Sequence, residues 1–342
     1  MQLGKDELIR IHDLKVSFSL DEGTVQALDG VDLVIKKGKV VGVVGESGCG
    51  KSIMARSIIR IIPDPGKIDQ GEILLRTKIG SNNGEEHVID LAKIDPEDEI
   101  MRQIRWGEIS MIFQEPMSSF SSYHTLGNQI SEAILVHQDI SKQDAEKLAI
   151  DMLDRVGIPN AATRITQYPH EFSGGMRQRA MIAMALICNP SLLIADEPTT
   201  SLDVTIQAQM LELMRNLRSD FGSSVVFITH NLGVIAQIAD EVDIMYMGKI
   251  VESGSVRDIF NDPKHPYTVN LLQAIPKITG SVKERLVAIE GSIPSPFERV
   301  SGCPFHPRCN QIIKGVCEDQ IPVLTDFGNE HKAVCHLYSQ SI

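Results

Sequence analysis

The chain has 342 residues, 42% of them hydrophobic, and a formal charge of -12 from 33 basic against 45 acidic residues. That length and composition suit one large domain with an appendage, or two modest domains, and exclude a largely disordered chain. The acidic balance, with no basic run of the kind that neutralises polynucleotide phosphates, argues against nucleic acid as a partner.

The first residues, Met1 to Glu7, carry charge where the apolar region of a signal peptide would begin, so the chain is expected to stay in the cytoplasm. Its longest uncharged apolar stretch, Ala180 to Cys188, is less than half of the ~20 residues a spanning helix needs. Any membrane role is therefore expected to come through a partner.

Taken in chain order, segments 8–18, 30–35 and 71–75 alternate apolar and polar residues and predict a small antiparallel sheet. Val40 to Val44 is an apolar β-branched strand that runs straight into a glycine-rich loop, after which 52–62 reads as a helix. From about 95 to 178 the pattern turns helical, and apolar residues recur at three-to-four spacing over 130–137, 143–156 and, just beyond it, 178–188. This predicts an inserted helical subdomain. The short apolar runs Leu192 to Ala195 and Val225 to Ile228 each follow a helical stretch and end at polar residues, as parallel strands of an α/β core do. A hairpin is expected from 243–246 and 249–252 around Met247-Gly248. Beyond Gly254 the composition shifts to proline and histidine and then to cysteine, which places a boundary near residue 256 and predicts domains at 1–256 and 257–342.

The loop Gly45-Glu46-Ser47-Gly48-Cys49-Gly50-Lys51-Ser52 matches G-x-x-x-x-G-K-[ST], in which glycines let backbone amides approach phosphates. Lys51 would neutralise β/γ-phosphate charge and Ser52 would ligate Mg2+. Cys49 occupies a variable position of the loop, where packing or solvent exposure is expected rather than catalysis. The strand ending at Ala195 delivers Asp196 and Glu197 to its carboxyl end, where ligands of open α/β sheets gather. Asp196 suits Mg2+, commonly through water, and Glu197 suits the general base that polarises an attacking water.

With these motifs the chain resembles the nucleotide-binding subunit of an ABC transporter, over residues 1 to about 256. The resemblance implies a P-loop NTPase core of the ABC ATPase type, and it assigns further residues. Ser173-Gly174-Gly175 resembles the signature motif, which binds the γ-phosphate of ATP held by the opposite subunit. The usual Leu-Ser-Gly-Gly-Gln is Phe172-Ser173-Gly174-Gly175-Met176 here, so the phosphate-binding atoms survive while the last amide is lost. Gln114, in Ile112-Phe113-Gln114-Glu115-Pro116, resembles the Q-loop glutamine that senses Mg2+ and the lytic water. Asp203, in Ser201-Leu202-Asp203, matches the D-loop, and His230 matches the switch histidine on the γ-phosphate. Phe18 is the aromatic residue expected to stack on adenine, with a core role the alternative.

After this unit, His265-Pro266-Tyr267-Thr268 and the apolar run to Pro276 resemble the C-terminal extension of oligopeptide and dipeptide importers. Cys303, Cys309, Cys317 and Cys335 follow with the spacing C-x5-C-x7-C-x17-C. A disulfide framework is disfavoured in a reducing cytosol. Zinc sites usually present close C-x2-4-C pairs, and wide single spacings suit an iron-sulfur cluster at least as well. His306, His331 and His336 keep a zinc reading open. The resemblance implies a 4Fe-4S cluster, because peptide-importer subunits of this type carry one in this region.

The function implied is that of the ATPase subunit of a peptide importer, peripheral on the cytoplasmic side of the membrane. Its expected partners are a second ATPase subunit, homologous or identical, two transmembrane permeases and, indirectly, an extracellular solute-binding protein. Import of another solute, such as a nickel complex or a sugar, is the nearest alternative. An ABC-type ATPase of DNA repair or ribosome recycling would call for a long coiled-coil insertion, or for two cassettes with a cysteine-rich N-terminus, and neither is present. A decayed ATPase serving as a metal sensor conflicts with intact Lys51, Asp196, Glu197 and His230.

Overall fold

The computed structural model describes residues 3–81, 84–114, 120–199, 203–275, 289–298 and 300–339. Its strands are β1 (Glu7–Leu20), β2 (Gly23–Lys36), β3 (Val40–Val44), β4 (Gly66–Thr77), β5 (His87–Asp90), β6 (Ile109–Ile112), β7 (Leu192–Asp196), β8 (Ser224–Thr229), β9 (Glu241–Tyr246), β10 (Lys249–Ser255), β11 (Leu324–Asp326) and β12 (Lys332–Val334). The chain divides into two compact units, one of Met1–Leu8, Ile35–Lys39 and Leu75–Ile228, the other of Ile9–Val34, Val40–Leu74 and Thr229–Ile342.

The first unit is built on β6, β7 and β8, paired in parallel with Ile109 opposite Leu192 and Leu192 opposite Ser224. Every residue of the three strands is buried, which is why their sequences read as unbroken apolar runs instead of alternating ones. Helices Leu126–His137, Lys142–Arg155 and Gly174–Leu186 pack on one another, and the last also packs on β6. Their apolar stripes are the cause: Ile130 and Ile134 are buried on the first, and Ala145, Ala149 and Leu153 on the second. Thr125 and Ser141 cap these two helices by accepting the amides of Asn128 and Asp144.

Two elements here differ from the sequence expectation. The four-residue strand β6 lies inside the stretch that reads as helical, because its length is too short for either period to declare itself. The helix expected from 178 starts at Gly174 instead, since Ser173 caps it and two glycines of poor helix propensity form its first turn.

In the second unit β3 pairs in parallel with β9, and β9 turns back antiparallel into β10. The expected hairpin is present, its two turn residues Met247 and Gly248 both left-handed at φ 44 and 74. From β10 the sheet continues into β12 and then β11, two three-residue strands that the sequence pattern does not mark. A second sheet carries β2, β1 and β4 side by side, with Ile9, Leu14, Leu28 and Ile73 fully buried. The helices Pro266–Gln273 and Val256–Asn261 also belong to this unit, the latter capped by Ser255.

Candidate functional site

The glycine-rich loop lies in the second unit, between the buried strand β3 and the helix Lys51–Ile58. Gly45 is required because a Cβ there would run into the Met245 carbonyl and the Cys49 sulfur. Gly50 sits at φ 105 as the N-cap residue, and a Cβ on it would come within 2.6 Å of the Ala27 carbonyl oxygen. The Cys49 carbonyl accepts the Gly248 amide at 2.9 Å, which ties the loop to the β9–β10 turn. Ser47 and Gly48 are exposed, and nothing lies within 4 Å of the point where a Gly48 Cβ would stand.

Lys51 is only 5% exposed, and its ammonium donates to the carbonyl oxygens of Gly45 (2.8 Å) and Glu46 (2.9 Å). A buried ammonium inside a glycine loop that opens a helix is the donor set a triphosphate needs. Ser52 is half-buried on the first helical turn. Cys49 is buried, and burial pushes its thiol up, which fits the expected packing role.

Two features of this loop are not evident from its motif. The Glu46 amide donates to the Tyr267 hydroxyl at 2.9 Å, and the Glu46 carboxylate receives a two-pronged ion pair from Arg308 at 2.6 and 3.0 Å. The Arg308 side chain is 3% exposed. Beneath them Tyr246, Tyr267 and Phe305 form an aromatic cluster with ring centroids 4.7 to 5.3 Å apart.

Elsewhere in the second unit, His230 is exposed just past the end of β8, where the neighbouring Asn231 caps the next helix through the Gly233 amide. Phe18 is half-buried on β1, its ring so close to Gly66 that a Cβ there would come within 2.5 Å of it.

In the first unit β7 ends at Asp196, which is 2% exposed, and Glu197 follows in the left-handed region at φ 47. Its amide donates to the Ile228 carbonyl at 2.9 Å, which holds this uncommon conformation in place. The Gln114 side-chain amide donates to the Glu197 carboxylate at 3.3 Å, so the structure brings these two predicted residues together. Glu115 and Pro116 lie outside the described residues, as do Ser201, Leu202 and Pro276.

Ser173 caps the helix Gly174–Leu186 by accepting the Met176 amide at 3.3 Å. Gly174, the first residue of this 13-residue helix, has nothing within 4 Å of the point where its Cβ would stand. The buried Gln178 on the same helix donates to the Pro198 carbonyl and links the signature helix to the segment after Glu197, a role the motif does not announce. Asp203 caps the helix Val204–Phe221 through the Ile206 amide at 2.9 Å.

All six cysteines are free thiols. Cys303, Cys317 and Cys335 are buried, and the Cys303 amide donates to the Cys317 carbonyl at 2.8 Å. Burial, then the neighbouring Cys317 and Cys309, pushes the Cys303 thiol up to about 11. Cys335 is likewise pushed up to about 11 by burial, with lesser contributions in the same direction from Cys303, Cys309 and Cys317. Among the described residues, no group of three or more His, Cys, Asp or Glu side chains is arranged to hold a metal ion.

With this geometry in view, the sequence pattern of the ABC transporter family matches residues 28–200, and that of the oligopeptide/dipeptide transporter C-terminal region matches residues 251–317. The chain belongs to the ABC transporter family and is an ATPase of the kind that family couples to transport. A putative peptide import ATP-binding protein of Brucella melitensis is 46% identical over 339 residues, 97% of this chain and 98% of the relative. The dipeptide transport ATP-binding protein DppD of Bacillus subtilis is 45% identical over 337 residues, 98% and 96% of the two chains. A dimeric ATP-binding cassette solved in a post-hydrolysis state with ADP and Pi superposes with TM-score 0.62 at 25% identity, covering 73% of this chain and 99% of that one.

Proposed function

We propose that the chain is the ATP-hydrolysing subunit that powers import of di- or oligopeptides through an ABC transporter. The observation that carries this reading is the union, in one chain, of the ABC region with the oligopeptide/dipeptide C-terminal region, together with end-to-end similarity to proteins named for peptide import.

In this reading the Gly45 to Ser52 loop binds the triphosphate, with Lys51 against the β/γ-phosphates and Phe18 against adenine. Ser52, Asp196 and Gln114 would hold Mg2+, which supplies charge neutralisation on the phosphates when bound. Glu197 takes the proton of the attacking water and Gln114 orients that carboxylate, while His230 contacts the γ-phosphate. Ser173, Gly174 and Gly175 offer a hydroxyl and helix-terminal amides to ATP held by a second ATPase subunit, and Asp203 belongs to the same subunit contact. The paired subunits would act head-to-tail on two transmembrane permeases served by an extracellular solute-binding protein. No helix among the described residues is long and apolar enough to cross a membrane, which fits a peripheral place on the cytoplasmic face. Residues 1–256 would form the nucleotide-binding domain, with its helical part at about 95–178, and residues 257–342 the extension.

We also propose that Cys303, Cys309, Cys317 and Cys335 hold a 4Fe-4S cluster. Four soft thiols in one stretch of the C-terminal region, at wide single spacings that suit a cluster at least as well as zinc, support that donor set. Iron and acid-labile sulfide analysis of an anaerobic preparation tests this, and stoichiometric zinc without iron would overturn it. For the main reading, the chain should copurify from solubilised membranes with permease subunits, and the reconstituted complex should hydrolyse ATP faster when peptide-loaded binding protein is added. Capture of ribosomes or DNA instead, or stimulation by a sugar and not by peptides, would reject it.

A further inference from the structure

The histidine-proline-tyrosine segment and the cysteine-bearing segment of the C-terminal region both reach the same residue of the phosphate-binding loop. Tyr267, fully buried, accepts the Glu46 amide at 2.9 Å. Arg308, one position before Cys309, forks onto both Glu46 carboxylate oxygens at 2.6 and 3.0 Å. Neither side chain is free to do otherwise. Arg308 also donates to the Glu290 carbonyl at 3.2 Å, and Tyr267 is packed against Tyr246 and Phe305 with ring centroids 4.7 and 5.3 Å away.

Glu46 presents a problem that these contacts solve. It is a carboxylate at the second position of a loop whose purpose is to receive a polyanion, and an unpaired negative charge there would repel the phosphates at short range. Its backbone amide, held by Tyr267, also fixes the course of the chain between Gly45 and Ser47. Lys51 donates to the Glu46 carbonyl from the other side at 2.9 Å. Three atoms groups of this one residue, its amide, carbonyl and carboxylate, are therefore each held by a different side chain.

We propose that Tyr267 and Arg308 are positioning residues for ATP binding: the C-terminal region clamps Glu46, Tyr267 fixing its amide and Arg308 neutralising its carboxylate, so that the phosphate-binding loop is complete only when that region is docked. The inference rests on the reading of Gly45 to Ser52 as the ATP loop and assigns the C-terminal region a role in that same site. Within this arrangement Arg308 acts by charge and Tyr267 by geometry, which separates their tests.

The test uses the full chain and reads ATP affinity, KM and kcat together with thermal stability. Arg308→Met should raise the dissociation constant and KM for ATP on the order of tenfold, with kcat changed by less than about twofold, because the uncompensated Glu46 charge opposes binding more than chemistry. Adding Glu46→Gln to Arg308→Met should recover most of that loss, since the repelling charge is gone. A merely structural role for Arg308 gives no such recovery. Tyr267→Phe keeps the aromatic packing, removes only the hydroxyl, and should raise KM by about threefold to tenfold by leaving the Glu46 amide without its acceptor. Unchanged KM in both Arg308→Met and Tyr267→Phe, or failure of Glu46→Gln to relieve Arg308→Met, would overturn the clamp. Should Arg308→Met not fold, Tyr267→Phe and Arg308→Gln, the latter with and without Glu46→Gln, still decide it by the same readings. A wild-type chain that binds no ATP would instead reject the reading of the loop itself.

Discussion

Gln114 and Glu197, 83 positions apart in sequence, meet through a 3.3 Å hydrogen bond from the glutamine amide to the glutamate carboxylate. Glu197 reaches it from a left-handed backbone conformation held by the Ile228 carbonyl, so its carboxylate is aimed from both ends. Glu197→Gln should keep ATP binding, lower turnover by at least about a hundredfold, and accumulate an ATP-bound dimer visible by size-exclusion chromatography. Gln114→Ala, which leaves the carboxylate but removes its orienting partner, should cost less, on the order of tenfold in kcat. Full ATPase activity in Glu197→Gln would remove it as the base.

Ser173 offers one hydroxyl to two tasks, one observed and one proposed. It accepts the Met176 amide as helix cap, and in the proposed pair it faces the neighbour's γ-phosphate. Ser173→Ala should therefore cost about 1 kcal/mol of stability through the lost cap, seen as a fall of about 3 °C in Tm. It should also weaken ATP-driven dimerisation while ATP affinity of the isolated chain stays near wild type. Equal losses in monomer binding and dimerisation would show that Ser173 serves its own chain's loop.

The motifs were legible because their chemistry is local. A strand, a glycine-rich turn and a helix in immediate succession place Gly45 to Ser52 without any long-range information, and Asp196-Glu197 inherit their position from the buried run before them. The clamp on Glu46 was not legible. Arg308 stands 262 positions away in a segment without hydrophobic period, and a lone arginine beside cysteines carries no sign of its partner. Strand β5 and the tail strands β11 and β12 escaped for a related reason: with three or four residues they are too short for an apolar period, so their ladder hydrogen bonds, not their side chains, define them. Gln178 reads as one more polar residue on a helix until the Pro198 carbonyl is seen beneath it.

Glu252 is 1% exposed and gathers three donors, the amides of Lys264 at 2.7 Å and His265 at 2.9 Å and the His331 imidazole at 2.9 Å. It thereby fastens β10 to the start of the Pro266–Gln273 helix and to the turn before β12. Glu252→Gln replaces one acceptor oxygen by a donor that must face other donors, and should destabilise by about 2–4 kcal/mol. Limited proteolysis should then cut the C-terminal region first, and ATP affinity should fall with it because Tyr267 lies two residues after His265, in the first turn of the helix that Glu252 anchors. Wild-type protease resistance in Glu252→Gln would show that the extension is held elsewhere.

His265 makes the stability of this junction depend on pH. It is 1% exposed, burial lowers its imidazole from the ordinary 6.5 to about 3, and its neutral Nδ1 accepts the Tyr267 amide at 3.1 Å. The folded protein thus holds His265 uncharged while the unfolded chain takes up a proton below 6.5. The sign follows: this contribution is complete above 6.5 and is lost as pH falls towards 3, by about 1 kcal/mol between pH 6.5 and 5.5. His265→Asn retains a side-chain acceptor for the Tyr267 amide but does not titrate. Its stability, measured by denaturant unfolding across that window, should fall less steeply than that of the wild type. Parallel curves for the two proteins would mean that His265 is not the group being protonated, and that the acid sensitivity of the Tyr267 helix arises from another residue.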